Sequence, residues 1–204
     1  MANPPGMSVQ TGRIAPDSLM SLEAYAKARK DFRAKVLEHK RPPTVHLGDH
    51  VTLLFEDELT IRYQVQEMLR VERIFEEQGI QDEIDAYNPL IPDGSNFKAT
   101  LMIEYEEVAE RRDALAKLKG VEDCVWVRVE GCPAVYAIAD EDLERETDEK
   151  TSSVHFLRFE LTREMAESLK YGVALAIGVE HPHYNAKIDP VPVPIRAALV
   201  KDLA

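Results

Sequence analysis

Cysteine is nearly absent from this chain, with Cys124 and Cys132 the only two. Two scattered thiols make neither a disulfide framework nor a paired zinc knuckle nor a four-cysteine iron–sulfur motif. The expectation is therefore two reduced cysteines, with no metal and no cofactor. Long apolar runs are missing too. The longest, Val173 to Val179, is far short of the roughly 20 residues a membrane-crossing helix needs. Met1 to Ser8 carries no basic stretch and no apolar core of a secretory signal, so a soluble, cytoplasmic protein is expected. There is no Lys/Arg-rich run, and the 25 basic residues face 37 acidic ones for a formal charge of −12. Such a field repels phosphate backbones and anionic lipid, which argues against nucleic acid and membranes as partners. No glycine-rich phosphate loop, no His-Glu-x-x-His and no serine nucleophile elbow occurs.

What is present suits a globular protein: 204 residues, 45% hydrophobic and 30% charged, enough to bury well over half of the unfolded surface. Residues 1–16 are polar and aperiodic and read as a mobile tail. Residues 17–204 read as a single domain. Ser21 can cap a helix carrying Leu22, Tyr25, Phe32 and Val36, which Arg41-Pro42-Pro43 stops. Thr44–Leu47 and His50–Phe55 read as a hairpin around Gly48-Asp49, a pair suited to a type II′ turn, with His46 and His50 on opposite faces.

A helical stripe of Ile61, Val65, Met68, Leu69 and Phe75 predicts a helix over most of 62–78. Phe97, Ala99, Leu101, Ile103 and Tyr105 alternate with polar residues as a strand. A helix over 106–119 ends at Gly120. Cys124–Glu130 and Pro133–Ala139 read as a second hairpin, whose core face would carry Val125, Val127, Val129, Ala134, Tyr136 and Ile138. The charged run Asp140 to Lys150 reads as a solvated helix or loop. A strand over 153–161, a short helix capped by Thr162, a strand over 173–179 and a terminal helix started by Pro194 complete the chain. Hairpins with helices between and around them predict an α+β fold with a mainly antiparallel sheet.

Five places can carry chemistry. At 100° per residue Arg62, Gln66, Arg70 and Arg73 share one helix arc. They are either a clamp for a carboxylate or phosphate or an exposed face with pairs such as Glu58–Arg62. Glu72 falls on the apolar stripe, where a carboxylate must be paired, metal-bound or protonated. It is a shifted acid/base group, a metal ligand, or the partner of an arginine such as Arg29 or Arg33. The loop Asn88 to Asn96, with two prolines and an Asp-Gly turn, offers Asp93, Asn96 and Lys98 as ligand contacts. Lys98, Thr100 and Glu104, Trp126, Arg128 and Glu130, and Arg158 and Glu160 each share a strand face; if those faces coincide they form one charged surface around the lone Trp. The pair His181 and His183 would need a third ligand, such as His155 or Glu180, to hold a metal.

Leu53-Leu54-Phe55-Glu56, Gln64 through Ile74, Asn88 through Gly94 and Val154 through Phe159 together resemble the bacterial domain of unknown function 3501 family, over roughly residues 14–203. No catalytic residue comes with the resemblance. It implies a setting beside rubrerythrin-like proteins and iron–sulfur oxidoreductases. The expectation that follows is an accessory or partner-binding protein for such a redox system, a homo-oligomer. The alternative is an enzyme or small-molecule sensor with a pocket near Glu72 and the Asn88–Gly94 loop.

Overall fold

In the structure, a computed structural model, residues 12–40, 43–141 and 145–204 are described. The stop at Arg41-Pro42 and most of the expected N-terminal tail lie outside them. Ile14, assigned to that tail, is buried. The fold is α+β, with six α-helices and two antiparallel sheets among the described residues.

The first sheet has the order β1 (Thr44–Leu47), β2 (Val51–Glu56), β3 (Asn96–Ile103), β7 (Val154–Glu160), β6 (Ile138–Ala139). The second runs β5 (Val135–Tyr136), β4 (Val125–Val129), β8 (Leu175–His181), β9 (Tyr184–Ile188). Strand alternation turns Leu53, Phe55, Phe97, Leu101 and Phe159 of the first sheet towards Val125, Val127, Leu175, Ile177 and Val179 of the second, all within one buried cluster. The two sheets therefore pack face to face, each supplying alternate residues to the core.

A smaller helical layer has its own core. It comprises α1 (Leu22–Lys40), α2 (Glu58–Glu72) and α3 (Glu77–Tyr87). Ile61, Val65, Leu69 and Ile84 pack there with Ile14. Gln64 of α2 reaches Glu56 on the outer face of the first sheet, joining this layer to the sandwich. Helices α4 (Val108–Lys117), α5 (Arg163–Lys170) and α6 (Val193–Leu199) fill the connections and the C-terminus.

Several local expectations need correcting. The first hairpin pairs Leu47 with Val51, so three residues, not two, form its loop. His50 sits in that loop and stacks on Tyr105, ring centroids 3.8 Å apart. The reason lies in a neighbouring strand: Tyr184 donates to the Leu47 carbonyl at 2.5 Å and accepts from the His50 amide at 3.1 Å. Gly48, at φ +68°, leaves room for that phenol, since a Cβ there would lie 2.6 Å from its oxygen. In the second hairpin only Val135 and Tyr136 pair with β4, and Ile138 and Ala139 cross to the first sheet beside β7. Tyr136 and Ile138 are thus exposed rather than core.

The helix predicted over 62–78 is two helices. Asp57 caps α2 by accepting from the Thr60 amide, and Arg73 ends it in the left-handed conformation. Chain reversal at Arg73 sends the Ile74 amide back to the Leu69 carbonyl at 2.9 Å. Ile74 then packs against the small core, as expected of the apolar residue behind a helix C-cap. Phe75 is left 73% exposed.

Candidate functional site

Glu72 is exposed, contrary to its expected place on a buried stripe. It occupies the last turn of α2, beyond the reach of α3, and Ile74 takes the apolar position it would have filled. The carboxylate that Arg29 does pair with is Glu67. Arg29 binds it through two nitrogens at 2.7 and 2.8 Å, Tyr25 donates at 2.6 Å, and Arg70 at 3.2 Å. The Arg29 guanidinium, ahead of the Tyr25 and Arg70 donors, outweighs burial and holds the Glu67 carboxyl down at about 2. Burial and the bond to Glu67 push the Tyr25 phenol well above its usual value.

The arginine arc is spent inside the fold. Arg62 bonds Glu58 and the Ser18 carbonyl. Gln66 is buried and satisfies both the Met20 amide and its carbonyl. Arg73 is the exposed C-cap. Arg62 and Gln66 fasten the N-terminal segment onto α2. They do not meet the loop residues.

The loop residues do converge. Asn88 clamps Ile14 through both its amide oxygen and nitrogen, fixing the 3-10 turn Asn88–Leu90. Asp93 accepts from the Ser95 amide at 2.9 Å and the Ser95 hydroxyl at 2.7 Å, the local bonding that makes Asp a turn former. Burial pushes its carboxyl up, but the Ser95 and Asn96 hydrogen bonds and the Lys98 charge outweigh this and hold it below its usual value. Asn96 is buried; its amide oxygen accepts from the Asp93 amide at 3.3 Å and its nitrogen points to Glu160 at 3.5 Å. The rigid turn and the first residues of β3 thereby form one wall of a cavity of ≈ 460 Å³, whose other wall is β7 and Glu141.

Register sets the charges inside it. Lys98 on β3 stands directly opposite Arg158 on β7, a like-charge pair that is unfavourable unless acids intervene. Glu141 does so for Arg158, binding its guanidinium with both oxygens at 2.7 and 2.8 Å, and Glu160 closes on it from the same strand. The Arg158 bond holds the Glu141 carboxyl below its usual value. Lys98 is left over. It makes no hydrogen bond or ion pair among the described residues. Burial and then Arg158 lower its pKa, against the pull of Glu141, Asp93 and Glu160. Pro89, Leu90 and Phe156 supply apolar lining, and the Arg145 guanidinium lies 4.6 Å from the Phe156 ring centroid.

Of the expected ligand contacts, Asp93, Asn96 and Lys98 thus share a cavity, while Arg62, Gln66, Arg70 and Glu72 do not line it. Arg158 and Glu160 lie on the same outer face as Lys98 and Thr100, but Trp126 and Arg128 belong to the other sheet. Glu141 and Phe156 were not singled out in the sequence; Glu141 is hidden in a run of charge, and no periodic signal marks it. Of the paired histidines, His181 is occupied locally: it accepts from the His183 amide at 3.2 Å and meets the Lys119 carbonyl at 3.0 Å through its other nitrogen.

Comparison with known proteins gives a family and a solved relative. Residues 13–203 match a family model described as protein of unknown function (DUF3501). A crystal structure of a novel protein of unknown function from Burkholderia pseudomallei K96243 is 57% identical, covers 95% of this chain and 100% of its own, and superposes with a TM-score of 0.87. No curated protein matches. No helix of the described residues is long and apolar enough to cross a membrane.

Proposed function

Because the chain belongs to the DUF3501 family, whose description states no activity, we propose from the geometry that it is a small-molecule-binding protein, an enzyme or sensor, with its site between the Asn88–Asn96 loop and β7. The observation that carries this reading is Lys98, a partly buried ammonium lining a cavity and lacking any bonded partner among the described residues. Three N–H donors at the wall of a cleft invite an acceptor, and a carboxylate matches them best. Pro89, Leu90 and Phe156 would hold the apolar part of the same molecule. Glu141 and Glu160 keep Arg158 engaged, so charge selection falls on Lys98.

Thermal-shift screening of small carboxylic acids, followed by calorimetry on the hits, tests this. Lys98→Met is expected to weaken binding at least tenfold, the effect of losing about 1.4 kcal/mol or more of charge-assisted bonding. The variant should fold with undiminished stability, since the lysine has no bonded partner among the described residues to lose. Binding that survives Lys98→Met, or no binding to any acid tested, removes the proposal.

The accessory role beside a rubrerythrin-like or iron–sulfur partner is a second proposal, resting on the family resemblance and on the acidic surface. Self-association of the chain belongs with it. A low-salt pull-down should recover such a partner, and recovery of neither kind removes it.

A further inference from the structure

A second cluster lies behind the cavity wall, on the core side of β7. Asp140 and Glu141 are neighbours in sequence and serve different sites: Glu141 holds Arg158, while Asp140 holds His155. His155 is fully buried, Glu122 is 7% exposed and Thr151 1%. Glu122, Asp140 and His155 each offer a metal-ligand atom within 4.8 Å of the others.

The ring geometry separates their roles. His155 Nδ1 lies 2.5 Å from Asp140 Oδ2. The other Asp140 oxygen accepts from the Phe156 amide at 3.0 Å and from Arg145 at 3.2 Å. An aspartate so surrounded by donors accepts from Nδ1, which therefore carries a proton. The opposite nitrogen, Nε2, faces atoms with lone pairs: Thr151 Oγ1 at 3.0 Å, the Ser152 carbonyl at 3.0 Å and Glu122 Oε2 at 3.8 Å. Thr151 Oγ1 is itself 3.3 Å from that Glu122 oxygen.

Two features ask for a positive charge among these four atoms. The Ser152 carbonyl can only accept, so a bare Nε2 would set lone pair against lone pair. Among the described residues Glu122 has only the long Thr151 bond and His155 Nε2 at 3.8 Å as partners, and a carboxylate only 7% exposed calls for a close positive charge. A proton on Nε2 would answer the first need and leave Glu122 an ion pair at 3.8 Å, too long for a hydrogen bond. A central ion answers both. Ligands 2.0–2.2 Å from a tetrahedral centre are spaced about 3.4 Å apart, inside the 3.0–3.8 Å span observed. Asp140 on Nδ1 completes the carboxylate–histidine–metal arrangement that fixes the tautomer and aims the free nitrogen at the ion.

We infer that Glu122, Thr151, the Ser152 carbonyl and His155 form a closed structural site for a divalent first-row metal ion, with Asp140 as the positioning residue. One imidazole and three oxygens suit Zn²⁺ or Mn²⁺ rather than a thiophilic ion. Such an ion would pin the 3-10 turn Glu122–Cys124 to the start of β7, and through Asp140 it would steady the segment carrying Glu141.

The test uses the full chain, stripped with chelator and titrated by calorimetry with ZnCl₂ alone and with MnCl₂ alone. One ion per chain should bind and raise the melting temperature. Glu122→Gln should weaken binding at least tenfold, Asp140→Asn by 10–100-fold as for other outer-shell partners, and His183→Ala should leave it unchanged. As a readout independent of those variants, ¹⁵N spectra of the wild-type imidazoles should show the His155 Nε2 signal moving on loading while Nδ1 stays protonated. A folded wild-type protein that binds neither ion stoichiometrically overturns the inference. So does binding indifferent to Glu122→Gln, or a His155 Nε2 proton that persists in excess metal.

Discussion

Asp202 illustrates how a side chain unremarkable in sequence acquires chemistry by placement. It lines a small cavity of ≈ 100 Å³ with His39, Phe55, Asp57 and Lys201. Burial first, then the Asp57 charge, raise its carboxyl from 3.8 to about 7, against the opposing pull of His39 and Lys201. His39 is itself bonded to Asp57, the α2 cap. A carboxyl raised on folding stabilises the folded state in its protonated form. That contribution is fully present below the unfolded value near 4 and is lost as pH rises through about 7. The slope over this interval approaches about 1.4 kcal/mol per pH unit. Asp202→Asn, a mimic of the protonated acid, should therefore be more stable than wild type at pH 8 and should flatten urea-midpoint dependence on pH between 4 and 8. A variant whose pH profile parallels the wild type would show that Asp202 does not carry the effect. Glu67 has the opposite sign: held at about 2 by Arg29, it stabilises at neutral pH and loses that contribution only in strong acid.

At the scale of elements, the second sheet is shaped by one close contact. Gly178 on β8 pairs with Trp126 on β4, and a Cβ on Gly178 would fall 2.4 Å from Trp126 Cζ2. The indole lies flat over the neighbouring strand, with the Arg128 guanidinium 5.3 Å from its ring, which is how a tryptophan on an outward face is only 3% exposed. Gly178→Ala should cost about 1–3 kcal/mol, the usual penalty of forcing extra volume into a filled place. Trp126 is the chain's single tryptophan, so its emission should shift in the folded variant; an unchanged spectrum with unchanged stability would contradict this packing. The strands and most helices follow from alternation, helical spacing and caps. The end of α2 does not, because the stripe continues in sequence through Phe75 while Arg73 turns the chain away. That single turn exposes Glu72 and leaves the ion-pair role to Glu67.

For the whole molecule, the two sheets share one large core and are also stitched at the edge by Tyr184. Its phenol serves Leu47 and His50 across the gap between β9 and the first hairpin. Tyr184→Phe keeps the ring but removes both bonds, so the urea midpoint should fall by the equivalent of about 1–2 kcal/mol. The slope of the transition should not change, since the same surface unfolds. An unaltered midpoint would mean that the sheets are held by the core alone. The candidate site also belongs to this scale: its walls are 3-10 turn, β3, β7 and the Asp140–Glu141 segment, drawn from residues some 70 apart in sequence.

The sequence alone determined what depends on neighbours along the chain. Binary patterning set the strands, capping residues and prolines set helix starts, and composition set the acidic surface. The rigid turn around Asp93, with Asn96 and Lys98 beside it, was legible because turn chemistry is local. Tertiary structure alone decided which charges are compensated. Arg158 finds Glu141 while Lys98 finds no bonded partner among the described residues, Glu67 rather than Glu72 receives Arg29, and His155 faces Glu122 across the core. Pairing and desolvation depend on which distant segments meet, and strand register with chain reversal at Arg73, not periodicity, brings them together.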